Sequence, residues 1–159
     1  MLSTYKPKPV PTATTTPGKE SQEMLGSLVT LKQEIEFVCS ANDLYDCFVN
    51  PAKVSAWTRG PPPSPAAVGQ AFSFFGGNVT GEWKELVPGS RLVFEWRLKA
   101  WPAKHTSLVT ITLSQGDSST MLRLNQERVP VGIKDLTEKN WTQYYWNSIK
   151  GTFGYGAQF

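Results

Sequence analysis

Histidine occurs once in this sequence, at position 105, and cysteine twice, at 39 and 47. A metal centre needs three or four clustered ligands, which that scarcity denies. No serine or cysteine motif near His105 would mark it as the base of a nucleophile, and a lone histidine beside Trp101-Pro102 reads as structural. The two thiols show no CxxC spacing, and without a secretory signal they are expected to be reduced. Long apolar runs are also missing. No stretch approaches the ~18 residues of a membrane span, and Met1-Leu2-Ser3-Thr4-Tyr5-Lys6 has no apolar centre of a signal peptide. A cytoplasmic protein with no membrane partner is expected. Charge of one sign is scarce too: 16 Lys and Arg against 13 Asp and Glu leave +3. The basic residues are spread along the chain, which argues against nucleic acid and fits an acidic protein partner.

What is abundant is aromatic: 6 Trp, 5 Tyr and 8 Phe, and only Tyr5 precedes residue 37. A chain of 159 residues fits one domain plus a tail and needs no covalent staple. Residues 1–26 are the expected tail. Pro7, Pro9, Pro11, Pro17 and the run Thr14-Thr15-Thr16 cannot offset the entropy of ordering, so this segment reads as a semi-extended linker. A linker of that kind suggests the C-terminal piece of a longer protein. The domain is expected at 27–159.

From Val29 to Phe37 apolar and polar residues alternate, which predicts a strand with one wet face. Ser40 caps a short helix with Asp43 three residues on, and Asn50-Pro51 starts a second that carries Val54 and Trp57 and stops by Gly60. After the loop Gly60-Pro61-Pro62-Pro63-Ser64-Pro65 come strands near 70–75, 79–87, 91–99, 107–114 and 119–127. Pro88-Gly89 suits a type II turn, and short links force neighbouring strands antiparallel. A helix is predicted from Leu136 to Phe153, with Asp135 and Glu138 as a capping pair and Gly154 at its end. Lys139, Gln143, Asn147 and Lys150 form its narrow wet stripe, and Tyr144 falls in the wide apolar arc with Trp141, Tyr145, Trp146, Ile149 and Phe153. The fold class is therefore α+β: a six-stranded curled antiparallel sheet, two short helices after strand one, and a long C-terminal helix. This is the helix-grip arrangement of the START and birch-pollen-allergen superfamily.

Four motifs occur in one order: Asn50-Pro51 with Ala56-Trp57-Thr58-Arg59; Gly76-Gly77-Asn78-Val79-Thr80-Gly81-Glu82-Trp83; Trp96-Arg97 with Trp101-Pro102 and His105; and Tyr144-Tyr145 with Ile149-Lys150-Gly151-Thr152-Phe153-Gly154-Tyr155-Gly156. Over residues 28–159 the chain resembles the C-terminal domain of the activator of heat shock protein 90 ATPase family. The resemblance implies a co-chaperone, not an enzyme, with no cofactor and with the heat shock protein 90 chaperone as partner. In that family an N-terminal domain grips the chaperone's middle segment. The C-terminal domain docks on the paired ATPase domains and favours their closed state. The resemblance covers only the second domain, with a linker expected before it, and a module on its own loses the effective concentration that linkage supplies.

Interfaces enrich Trp, Tyr and Arg, so two loop regions are candidate docking sites. One holds Trp57 and Arg59; the other holds Lys99, Trp101, Lys104 and His105. Trp83, Phe94, Trp96, Trp141, Tyr145 and Ile149 are assigned to the core between sheet and helix. The alternative function is a carrier or sensor of a small hydrophobic ligand held in that space, although rings this bulky tend to fill it. A monomer is expected.

Overall fold

The computed structural model describes residues 26–156. All but the last residue of the expected tail, 1–26, lies outside them. The elements are β1 (Leu28–Phe37), α1 (Ala41–Val49), α2 (Pro51–Thr58), β2 (Ala71–Phe74), β3 (Val79–Val87), β4 (Arg91–Leu98), β5 (Ser107–Gln115), β6 (Thr120–Pro130) and a closing helix from Lys134 to Phe153. One antiparallel sheet runs in the order β1-β6-β5-β4-β3-β2, so β1 and β2 are its two edges. The six strands, the paired short helices and the closing helix match the helix-grip expectation.

Local chemistry accounts for most boundaries. The Ser40 hydroxyl accepts the Asp43 N–H at 3.0 Å and caps α1; the Asn50 side-chain carbonyl accepts the Ala52 N–H at 3.0 Å and caps α2 above Pro51. At the β3–β4 turn Gly89 has φ 69°, and the Ser90 N–H closes the turn on the Val87 carbonyl at 3.0 Å. Gly81 is required by space. A Cβ built there would lie 1.8 Å from the Glu95 carbonyl and 2.5 Å from the Phe72 ring, which covers this glycine from the neighbouring strand.

The closing helix departs from its expectation in three ways. It begins at Lys134 without a side-chain cap, and Glu138 takes the Lys134 ammonium at 3.0 Å instead of serving a capping pair with Asp135. Tyr144 is 49% exposed, so the covered arc is narrower than the sequence suggested. Between Trp141 and Trp146 the helix widens to a π-turn, flanked by the α-helical segments Lys134–Asn140 and Asn147–Phe153. More residues per turn bring positions four and five apart onto one face. Trp141, Tyr145 and Trp146 are all buried as a result, with Trp141 4.2 Å from Tyr145 and 5.2 Å from Trp146 between ring centres. Gly154 closes the helix in the left-handed region at φ 74°, and its N–H bonds the Lys150 carbonyl.

Rings fill the space between sheet and helix. Trp83, Phe94, Trp96, Trp141, Tyr145 and Ile149 are each no more than 5% exposed. Trp96 stacks on Trp141 at 5.7 Å, and Phe72, Trp83 and Phe94 form a second cluster with centres 4.9–5.6 Å apart. Most polar tips are paired within this core; the buried Trp101 indole N–H is the exception among the described residues. The Trp141 indole donates to the Gln126 carbonyl oxygen at 2.8 Å, the Gln126 amide donates to the Ser107 hydroxyl at 2.9 Å, and that hydroxyl donates to the Trp96 backbone carbonyl at 2.7 Å. Trp96 donates to the Tyr145 hydroxyl at 3.1 Å, and Trp146 donates to Gln33 on β1 at 2.7 Å.

Replacing Trp141 by Ala empties a ring-sized site and strands the buried Gln126, and is expected to cost about 3–5 kcal/mol. Gln143 is exposed, and its change to Ala should cost less than about 0.5 kcal/mol. Equal shifts of the urea midpoint would refute this facing of the helix.

Burial also raises the two thiols from 9.0, Cys39 to about 11 and Cys47 to about 12. Released on unfolding, they ionise from about pH 9, so between about pH 9 and 12 the unfolded state binds fewer protons than the folded one. Stability should therefore fall as pH rises through that window, and Cys47→Ala should flatten the fall. Denaturant melts at stepped pH check this; an unchanged slope in the variant would contradict it.

Candidate protein-docking surface

The residues singled out for docking separate into buried and exposed sets. Trp57 is 1% exposed; its indole donates to the Cys47 carbonyl at 2.8 Å, and its ring lies 5.4 Å from Tyr145 and 5.9 Å from Phe74. Trp101 is 7% exposed and packs edge-on against Trp96 at 5.6 Å, with the His105 ring at 5.0 Å. The expectation of these two indoles as surface anchors is corrected: each is the apolar underside of its loop. Arg59, Lys99 and Lys104 are exposed, and His105 is half-buried.

The β4–β5 loop, residues 99–106, is held from beneath by Arg97. Its guanidinium donates to the carbonyls of Trp101 at 2.8 Å, Pro102 at 2.7 Å and Ala103 at 2.7 Å, with a longer contact to His105 at 3.4 Å. A planar fork of five donors suits this task, and a lysine could not reproduce it. Partial burial lowers the Arg97 pKa from its ordinary value, but a guanidinium stays charged at neutral pH. A second tie comes from β6. There Glu127 and Arg128 bulge between the pairs Leu31↔Gln126 and Val29↔Val129, and Arg128 takes the left-handed region at φ 66°. Its carbonyl accepts from His105 Nε2 at 2.9 Å, which places the imidazole proton on that nitrogen, and its own Nε donates to the Thr106 carbonyl at 3.1 Å. The single histidine thus has a structural partner.

The outcome is a rigid loop that presents Lys99 and Lys104 to solvent, with Arg97 below and Arg128 beside it. None of these four cations forms an ion pair among the described residues, whereas Lys53, Lys84, Arg91, Arg123 and Lys134 all do. Four cations without an ion pair thus lie at or beside one loop, where they can meet an acidic partner. Sequence reasoning gave Arg97 and Arg128 no role in the site. Arg97 alternates with apolar residues as any wet-face strand residue does, and nothing in the sequence marks a left-handed arginine. Tyr144, Val131 and Leu136 are further exposed apolar residues along the closing helix and the turn before it. Among the described residues no group of three or more His, Cys, Asp or Glu could hold a metal ion, and no helix is long and apolar enough to cross a membrane.

Comparison with known proteins gives a family. The model of the Activator of Hsp90 ATPase homolog 1-like protein family matches residues 38–154. The chain is 36% identical over 130 residues to the human Activator of 90 kDa heat shock protein ATPase homolog 1, covering 82% of this chain and 38% of that protein. It is 34% identical over 172 residues to the Hsp90 co-chaperone AHA1 of Saccharomyces cerevisiae, covering 98% of this chain and 48% of that one. The chain thus spans less than half the length of these relatives. Among solved structures, an HSP90 activator from Plasmodium falciparum superimposes with a TM-score of 0.74 at 23% identity, covering 81% of this chain and 99% of that one.

Arg97→Lys should leave the strands intact and release the loop. The amides of residues 99–106 are expected to exchange with solvent at least tenfold faster, with a loss of about 1–3 kcal/mol in global stability. Hydrogen exchange followed by mass spectrometry measures both. Unchanged loop protection would mean that the guanidinium does not hold the loop.

Proposed function

The chain belongs to the Activator of Hsp90 ATPase homolog 1-like family, and from that membership we propose that it is a co-chaperone module that binds the heat shock protein 90 chaperone and stimulates its ATPase. The match over residues 38–154, carried on the helix-grip fold of an HSP90 activator, is the observation that supports this reading. The module acts by binding the closed pairing of the ATPase domains better than the open one, since equal affinity for both would shift nothing. The rigid cationic loop suits that role, because a preformed surface loses little ordering entropy on docking. Lys99 and Lys104 make the contact, with Arg59 and Arg128 as flanking charge. His105 and Trp101 act beneath them as supports. A carrier function is disfavoured by the stacked rings that occupy the space between sheet and helix.

Titration calorimetry against the chaperone tests the proposal. Binding should be tighter with a non-hydrolysable ATP analogue than without nucleotide, and should weaken as salt rises toward physiological strength. The double change Lys99→Ala with Lys104→Ala should weaken it about three- to tenfold without loss of fold. Equal affinity in both nucleotide states removes the closed-state mechanism. No binding at all removes the chaperone assignment for this chain acting alone.

A further inference from the structure

The edge strand β2 leaves half of its backbone groups unused. Upstream of it, Gly69 at φ 87° and Gln70 together oppose Trp83: the Gly69 N–H donates to the Trp83 carbonyl, and the Trp83 N–H donates to the Gln70 carbonyl. This bulge sets the phase of the ladder. Phe72 and Phe74 exchange bonds with Gly81 and Val79 on β3, and Ala71 and Ser73 turn their N–H and C=O groups outward. Among the described residues those outward groups have no backbone partner.

Across from this edge runs Gly60-Pro61-Pro62-Pro63. Proline has no N–H, so this loop cannot complete the ladder. Between loop and strand a groove of about 260 Å³ remains, with Val54, Thr58, Phe74 and Phe75 in its walls. Phe75, in the groove's wall, has an unusual backbone state, φ 56°, followed by Gly76 at 67° and Gly77 at 90°. Two exposed cations flank it. Arg59 adjoins Gly60, and Lys99 is tied to the far end of the turn by its N–H on the Asn78 carbonyl at 2.9 Å. Neither has an ion pair among the described residues.

We infer that the outer edge of β2 and the adjoining groove form a docking site for an extended segment of a partner protein that carries one large apolar side chain between carboxylates. The segment adds as a strand on Ala71 and Ser73. Alternate side chains of an added strand point to the same face, so one of them enters the groove. The carboxylates on either side meet Arg59 and Lys99. Main-chain pairing supplies the register and the groove supplies the selectivity. The inference commits only to this chemistry and does not depend on the chaperone reading.

The test titrates the isotope-labelled full chain with the peptide acetyl-Asp-Glu-Thr-Phe-Thr-Glu-Asp-amide, followed by amide NMR. The amides of residues 71–75 should shift and saturate. Two versions of the peptide N-methylated on alternate residues should differ, one binding and the other not, because only one set of N–H groups faces the edge. Ser73→Pro removes an outward donor that the fold does not use, and should weaken binding at least tenfold. Arg59→Glu should weaken it at least threefold. No shift at residues 71–75 with millimolar peptide would overturn the proposal and leave the proline loop as a cover that blunts the edge. Equal binding of both methylated peptides would overturn it as well, leaving a contact made by charge alone.

Discussion

A buried amide, Gln126, joins the closing helix to the sheet, and the packing of the whole core depends on that junction. The side chain is fully enclosed, so an unpaired amide there would carry the full cost of desolvation. Both ends are satisfied: the carbonyl oxygen accepts from Trp141 on the helix, and the amide nitrogen donates to Ser107 on β5. An apolar contact could slide along the helix axis, but this pair cannot. Once Trp141 is fixed, its stacking on Trp96 and Trp146 sets where the other rings can sit. The π-turn follows from the same demand, since a regular α-helix would splay Trp141, Tyr145 and Trp146 too widely for all three to reach the sheet.

The same junction reaches the loop that the proposed function uses. Ser107, the acceptor of the Gln126 amide, is the first residue of β5, and its hydroxyl bonds the carbonyl of Trp96. The next residue, Arg97, grips the loop carbonyls; the ring of Trp96 supports Trp101 from below. The loop is therefore an outward extension of the core. The backbone that carries its exposed lysines is anchored to the buried rings.

Much of this was legible in the sequence because periodicity and turn chemistry report on local geometry. The alternation of β1, the caps at Ser40 and Asn50, the turn at Pro88-Gly89 and the stop at Gly154 each follow from one or two residues. The misses come from tertiary contacts and from local geometry that the sequence does not announce. Trp57 at a helix end before a proline loop looks exposed until β2 and the closing helix are laid over it. Tyr144 sits among apolar neighbours, yet the widened turn rotates it outward. Glu138 resembles a capping residue, but it pairs with the Lys134 ammonium and makes no cap hydrogen bond. The left-handed states of Arg59, Phe75 and Arg128 have no sequence sign, because such positions usually carry glycine. Phe75 and Arg128 are held by contacts from other parts of the chain, whereas Arg59 closes its own helix on the Ser55 carbonyl.

Under the proposed function, a rigid binding loop has an advantage over a flexible one. The closed and open states of a partner differ in the relative placement of surfaces, and a rigid body reads such a difference as a difference in binding free energy. A loop that reorganised to fit either state would bind both and shift neither. Six tethering hydrogen bonds on a loop of eight residues, together with the buried Trp101 beneath it, resist such reorganisation. What rigidity cannot supply is strength, because a few exposed lysines contribute modestly and are screened by salt. A second contact of a different chemistry, such as strand addition at β2, would add affinity without loosening the first. Lys99, bonded through its backbone to Asn78 beside the glycine turn, stands at the boundary of the two surfaces. Two rigid contacts on one body act with an effective concentration fixed by the fold, so their free energies combine far better than those of separate molecules.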